Sequence, residues 1–470
     1  MNIASRLLIP FTLAPALAPK WALALTLTLA VGCACLTVSV PARAADSMDL
    51  LAMYREAKVH DAIFQSAQAS FQAGQEKLPQ ARSLLLPKMD LSANTMGNDV
   101  SINYQGSNIF ESGASRFNSR GYILSLTQPL FRLDNWINYS EAEIQITLVD
   151  TRYRMASQDL ILRVTQAYFD LLTTLDELTL AKARVTTALA KLEQSKLKVE
   201  MGTGNLEDVY DSEANVELAR SDEIEAQENS QTKAKNLQKI AGQDTSPEIS
   251  GLEKKPELPA PSWLLLDKWL DSAQHNNLDL VTAQANLALA DKEVTRQRDA
   301  HYPTVDLVAS KSRNTMGSSM LGAGIGMDMT SNAIGVQLNL PIYAGGMIQS
   351  RLREAQANRL RAMDDLENVR GNVNLQTRQA YLDVINGMAR IKALEQVQKS
   401  RDMMLSTVQR GRSTGTRDNL DVLRAQESVY QTHRDLQAAQ YHYLLSELRL
   451  KQAVADLSEA DLAEINSLFH

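Results

Sequence analysis

A chain of 470 residues that is 22% charged and 5% aromatic, with only 21 Gly and 13 Pro, suits long helices better than a compact enzyme core. Its formal charge of −7 argues against a nucleic-acid binder, which would carry a basic stripe. Both cysteines, Cys33 and Cys35, lie in the first 44 residues, so the chain beyond them has no disulfide or thiol chemistry.

Residues 1–44 contain Arg6 and Lys20, an apolar stretch over 21–40, and then Ala42-Arg43-Ala44 ahead of Ala45-Asp46. This pattern predicts a long signal peptide cut after Ala44. Two alternatives stand beside it: a membrane-spanning helix, since the run approaches the ~20 residues a span needs, and a lipoprotein signal using Cys33 or Cys35, since Ala30-Val31-Gly32-Cys33 fits loosely. The A-x-A pattern and the lack of a later apolar span favour the signal peptide. Removing Arg6, Lys20 and Arg43 takes the charge from −7 to −10.

Residues 47–85 read as one helix, from Leu50, Leu51, Met53, Tyr54, Ala57, Ile63, Ala67 and Phe71, ending at Pro87. Met89, Leu91, Ala93 and Thr95 then alternate with Asp90, Ser92 and Asn94, which predicts a strand. A polar loop is expected over 97–118, followed by a second strand through Tyr122, Leu124 and Leu126, closed by Gln128-Pro129. Residues 134–200 contain no Gly or Pro, and a helix of that length would extend about 100 Å. Leu160, Val164, Ala167, Leu171, Leu175, Leu178, Ala181 and Val185 keep the spacing of coiled-coil packing. A turn at Gly202 and a helix over 206–240 follow, and then a linker over 241–261 rich in Gly and Pro.

The order then repeats. Residues 263–300 read as helix, broken by His301-Tyr302-Pro303. Val305, Leu307 and Ala309 alternate as a strand, a Gly-, Ser- and Met-containing loop spans 314–331, and Ile334, Val336, Leu338 and Leu340 form a fourth strand stopping at Pro341. A helix over 347–410, a turn at Gly415, a helix to about Ala455 and a short packed tail over 457–470 complete the chain.

The repeat is literal. Ala57, Ala67, Gln68, Ala69, Arg82, Pro87, Asp90, Leu91 and Ala93 recur 216 positions on as Ala273, Ala283, Gln284, Ala285, Arg298, Pro303, Asp306, Leu307 and Ala309. Gln166-Ala167-Tyr168-Phe169-Asp170 recurs 213 positions on as Gln379-Ala380-Tyr381-Leu382-Asp383, and Met201-Gly202-Thr203-Gly204 shares its offset with Thr414-Gly415-Thr416-Arg417. An internal duplication follows, giving a first repeat over 45–255, a second over 256–456 and a tail over 457–470. The expected membrane strands are 88–97, 119–129, 303–313 and 332–342.

Four strands cannot close a membrane barrel, since the smallest have eight, and open strand edges in lipid would leave backbone groups unpaired. Amphipathic helices this long also need partners for their apolar stripe. A ring of several copies satisfies both demands, with strands at one end and a helical tube along the rest.

Ala81-Arg82-Ser83-Leu84-Leu85-Leu86-Pro87, Pro303-Thr304-Val305-Asp306-Leu307, Leu338-Asn339-Leu340-Pro341-Ile342-Tyr343-Ala344-Gly345-Gly346-Met347 and Tyr441-His442-Tyr443-Leu444-Leu445 resemble the TolC family of outer-membrane channels, over nearly the whole chain. The resemblance implies an α+β membrane protein: a homotrimer with a twelve-stranded barrel in outer-membrane lipid and a helical coiled-coil tunnel in the periplasm. It implies a passive exit duct for type I secretion or multidrug efflux, joined to a periplasmic adaptor and an inner-membrane ABC or RND transporter. A lipidated efflux duct of the same family and a periplasmic coiled-coil adaptor are the alternatives; the four alternating strands argue against the adaptor.

No enzyme, cofactor or metal site is expected. The six histidines have no zinc-like spacing. Gly322-Ala323-Gly324-Ile325-Gly326 lies outside any βαβ context, and Met316, Met320, Met327 and Met329 read as loop residues rather than soft-metal ligands. The resemblance implies a periplasmic gate at the two turns, lined by Asp421 and its counterpart Asp208, with Glu207, Asp211 and Asp418 nearby. Carboxylates near a helix N-terminus are also favoured by the helix dipole. Arg412 and Arg424 stand where the family pattern has a tyrosine and an aspartate, and Arg417 matches a family arginine linked to closure; these three are expected to pair with acids of the adjacent coil. Gly202, Thr203, Gly415 and Thr416 resemble adaptor-docking tips.

Overall fold

The computed structural model describes residues 49–103, 105, 113–242, 249, 251, 265–317 and 326–469. The expected signal segment, most of the 241–261 linker, Trp263, Met320 and 322–325 lie outside them.

The first segment is not one helix. It divides into α1 (Leu50–His60), α2 (Ala62–Gln75) and α3 (Lys77–Ser83). The break at Asp61 uses no Gly or Pro, whereas the break at Glu76 has Gly74 just before it and Pro79 in the first turn of α3. Asp61 takes an extended conformation and caps α2, its side chain accepting from the Phe64 N–H at 2.8 Å. The counterpart segment divides in the same place. Asn277, 216 positions on, ends α6 (Leu266–Asn276) and caps α7 (Leu278–Asp299) through the N–H groups of Asp279 and Leu280. A good capping side chain thus outweighs continuous helical spacing in both repeats.

The strands exceed the expected lengths. β1 is Lys88–Ile102 and β2 is Gly113–Phe131, so most of the expected 97–118 loop is strand. β3 is Thr304–Met316 and β4 is Met327–Asn339, which shortens the 314–331 loop in the same way. The apolar alternation stops early because polar cross-strand pairs carry the outer part of each hairpin. Arg116 Nε donates to Asp99 Oδ2 at 2.8 Å, Asn98 donates to Ser119 Oγ at 2.9 Å, and Arg313 pairs with Asp328. The sheet is antiparallel in the order β1-β2-β3-β4, leaving β1 and β4 as edges. Where β2 ends, the ladder shifts between Pro129 and Phe131, and Arg132 grips buried Asp306 with two hydrogen bonds of 2.8 and 2.7 Å.

Each hairpin leads into a long helix. α4 (Leu133–Glu200, 68 residues) returns through a turn into α5 (Leu206–Ala241), and α8 (Met347–Ser413, 67 residues) returns into α9 (Asn419–Ala453). The lateral order is α5–α4–α9–α8, because α4 packs on both α5 and α9, and α9 packs on α8. Among the described residues no helix is long and apolar enough to cross a membrane.

The main core lies where α1, α4, α9 and the tail meet. Tyr168, Leu444, Leu160 and Leu50 are fully buried there, Phe169 stacks on Tyr441 at 5.1 Å, and Phe469 meets Tyr168 edge-on at 5.6 Å. Each such side chain contributes roughly 2 kcal/mol by burial. The tail forms α10 (Glu459–Asn466), started by a Ser458–Asp461 capping box. Lys451 donates to Asp461 at 2.7 Å, and Asn466 bonds both the Leu51 N–H and Asp49.

Under that tail Glu447 is buried, with one carboxylate oxygen lacking a hydrogen-bond partner. Burial pushes its pKa up from 4.5 to about 7, against the pull of Lys451 at 3.9 Å. The folded state therefore holds this proton more tightly than the unfolded chain. Its contribution to stability is complete below the unfolded pKa and is lost as pH rises toward about 7. Glu447→Gln is expected to raise the melting temperature at about pH 8, with the gain shrinking to nothing near pH 4. Thermal melts across that range check it; an equal gain at both ends would refute the buried-carboxylate account.

Candidate functional site

The two inter-helix turns are built alike. Gly202 and Gly415 both take φ +73°, a left-handed conformation that L side chains avoid. In the first turn the Thr203 and Gly204 N–H groups donate to the Lys198 carbonyl, each at 2.9 Å. In the second the Thr416 and Arg417 N–H groups donate to the Gly411 carbonyl at 2.9 and 3.2 Å. The threonine hydroxyls reinforce the same carbonyls, at 3.2 Å from Thr203 and 3.0 Å from Thr416.

The backbones come close across each turn, and one partner is always glycine. A Cβ on Gly204 would lie 2.8 Å from Lys198 Cβ, and a Cβ on Gly411 would lie 2.7 Å from Arg417 Cγ. Lys198 corresponds to Gly411 and Gly204 to Arg417, so the two repeats place the glycine on opposite sides of one contact. That exchange is what admits an arginine at the second tip.

Asp418 begins α9 as its N-cap, accepting from the Asp421 N–H at 2.8 Å, while its other oxygen accepts from Gln194 Nε2 at 2.6 Å. The bond from the Asp421 N–H, with the Gln194 bond and the Arg424 and Lys198 charges, holds the Asp418 carboxyl below its ordinary range. Asp421 sits in the first turn of α9, half-buried, with Arg417 of the preceding turn 3.6 Å away. Leu420, Val422 and Ala425 lock this end of α9; Val422 and Ala425 pack with Val408 and Leu405 of α8. Asn205 caps α5 through the Glu207 N–H, and Glu207 and Asp208 are exposed in its first turn. Asp211 faces Lys191 at 3.6 Å.

Arg412 and Arg424 are exposed and form no ion pair among the described residues, and Arg417 meets only Asp421. Within one chain the three arginines therefore do not bridge to the other coil. Other groups make that connection: Gln194 to Asp418, Arg184 to Glu427 at 3.4 Å, and Glu177 to Arg434 at 3.6 Å. Sequence reasoning missed these, and missed Gly411. The shared offset could have found Gly411, since it aligns with Lys198; the α4–α9 contacts leave no local signal. Among the described residues no cluster of three His, Cys, Asp or Glu side chains is placed to hold a metal ion.

The outer membrane efflux protein family matches residues 53–243 and 269–456. The outer membrane protein TolC of Escherichia coli is 29% identical over 442 residues, spanning 92% of this chain and 87% of TolC. The alkaline protease secretion protein AprF of Pseudomonas aeruginosa is 28% identical over 432 residues, 90% of this chain and 88% of AprF. Among solved structures, the CmeC outer membrane channel of Campylobacter jejuni superimposes with a TM-score of 0.70 at 17% identity, covering 90% of this chain and 89% of CmeC.

Proposed function

The chain belongs to the outer membrane efflux protein family, and from that premise we propose a trimer whose three four-stranded sheets close one barrel. The protein is an outer-membrane exit duct serving secretion or efflux. Its family is one of channels rather than enzymes. The observation that carries the ring is the paired incompleteness of one chain: free edges at β1 and β4, and a row of long helices ending in α5 and α8; the number three follows the family. Three copies supply twelve strands, enough to leave no edge in lipid. The duct is passive and works with a periplasmic adaptor and an energised inner-membrane transporter of the ABC or RND type.

The turns form the periplasmic mouth. Each inward carboxylate there occurs once per copy, so Asp421 and Asp208 make rings that attract cations. Glu207 and Asp418 support those rings, Asp418 by fixing the start of α9. Arg412, Arg417 and Arg424 hold the mouth shut through acids of the neighbouring copy. Each exposed pair contributes only ~0–1 kcal/mol, but threefold repetition multiplies it. The purified protein is expected to show a trimer mass and a small conductance in planar bilayers, rising severalfold when all three arginines become glutamine. An unchanged conductance would sink the arginine latch; a single-chain mass would sink the ring.

A further inference from the structure

The two helices left at the ends of the row are opposite in charge. Residues 207–228 of α5 hold nine acidic side chains and one basic, whereas residues 390–412 of α8 hold six basic and two acidic. Within the chain α5 packs on α4 and α1, and α8 on α9, α7 and α6, so the far faces of both lower stretches are open. Those faces also expose large apolar side chains: Leu218 on α5, and Val397 and Met404, seven residues apart, on α8.

The α4–α9 contact inside the chain supplies the level at which such helices meet. Shifting α4 forward and α9 back by the 213-residue repeat turns the Arg184–Glu427 contact into Val397 facing Ala214. It turns the Glu177–Arg434 contact into Arg390 facing Ser221. At that level Arg390 lies beside Asp222 and Arg401 beside Asp211. Arg390 and Arg401 form no ion pair among the described residues, and both are exposed, as are Asp211 and Asp222.

We infer that the lower tube is sealed by a seam between α8 of one copy and α5 of the next, an apolar strip flanked by basic residues on α8 and acidic residues on α5. The inference rests on the ring proposed above and adds to it a direction and a chemistry. The contact is head to tail, so α5 never meets α5, and repulsion between two acidic or two basic faces excludes the reversed pairing. Exposed charges make the seam sensitive to salt, while the barrel and the main core are not. The tube can therefore part along three seams without the copies separating.

The test uses the full chain carrying Ala214→Cys and Val397→Cys, oxidised under mild conditions, with molecular mass measured in parallel. The two thiols should join neighbouring copies, and the rate should fall about tenfold between low and ~1 M salt. Arg390→Glu with Arg401→Glu should slow linking by about tenfold, and adding Asp211→Arg with Asp222→Arg should restore it. Copies that assemble but do not link, or that link at a rate indifferent to salt and to charge reversal, would overturn the seam. A single-chain mass in the parent would overturn the ring itself.

Discussion

Tryptophan at both Gly202 and Gly415 is expected to lower export by about 100-fold or more while trimers still assemble in the outer membrane. Both glycines project into open space, since a Cβ built on either meets nothing within 4 Å. A side chain there therefore displaces no packing. It strains one left-handed residue per turn, at roughly 1–2 kcal/mol, in a hairpin anchored by the Lys198 and Gly411 carbonyl bonds. What it changes is access. On the docking expected of these tips, a bulky group on each of the six turns of the proposed trimer blocks an adaptor's approach. Asparagine, which tolerates the same conformation, is the control: the doubly substituted Asn chain should export far better than the Trp chain. The readings are secreted cargo, trimer on a native gel, and cross-linking to the adaptor. Normal export by the Trp chain would show that the tips do not dock.

These turns were the most legible part of the molecule. Gly415 interrupts two long runs free of proline, and its copy lies 213 positions earlier at Gly202, so periodicity and offset mark them without a structure. The long helices were legible for the same reason. The hairpins were legible only in part, because apolar alternation marks the section from Met89 to Thr95 and fades where Arg116–Asp99 and Asn98–Ser119 take over. Those pairs depend on register, which one strand does not encode. The lateral order of helices was not legible at all. Arg184, Glu427, Glu177 and Arg434 look like ordinary solvated charges until α4 and α9 lie side by side. The break at Asp61 was readable in principle, since Asp61 and Asn277 are both capping residues at equivalent positions. Helical spacing runs through them, however, and conceals the cap.

Asp61→Ala is expected to destabilise the folded protein by about 2–4 kcal/mol, the loss of its charged hydrogen bonds together with a helix cap. Asp61 is 4% exposed and accepts from Arg163 twice, at 3.1 and 2.8 Å, while also capping α2. The Arg163 hydrogen bonds hold its carboxyl below the ordinary range. Sign follows from that direction: the stabilisation is present above the unfolded pKa and lost as pH falls through the lower folded one. The second repeat shows how the same corner is built without charge. Asn277 replaces Asp61 and Gln376 replaces Arg163, and Asn277 caps α7 while donating to the Ala453 carbonyl at 2.9 Å. Removing the aspartate alone costs the guanidinium two hydrogen bonds and leaves it Asp159, one helical turn away at 2.6 Å. Removing both charges together, as Asp61→Asn with Arg163→Gln, copies the second repeat into the first and keeps the cap. That double variant is expected to lose no more than about 1 kcal/mol. Denaturation of the parent, Asp61→Ala, Asp61→Asn, Arg163→Gln and the double variant at neutral pH and near pH 3 decides it. Losses that simply add would mean the two side chains act separately. A strong non-additive recovery would mean the ion pair is one structural unit that the other half of the chain has already exchanged for a neutral one.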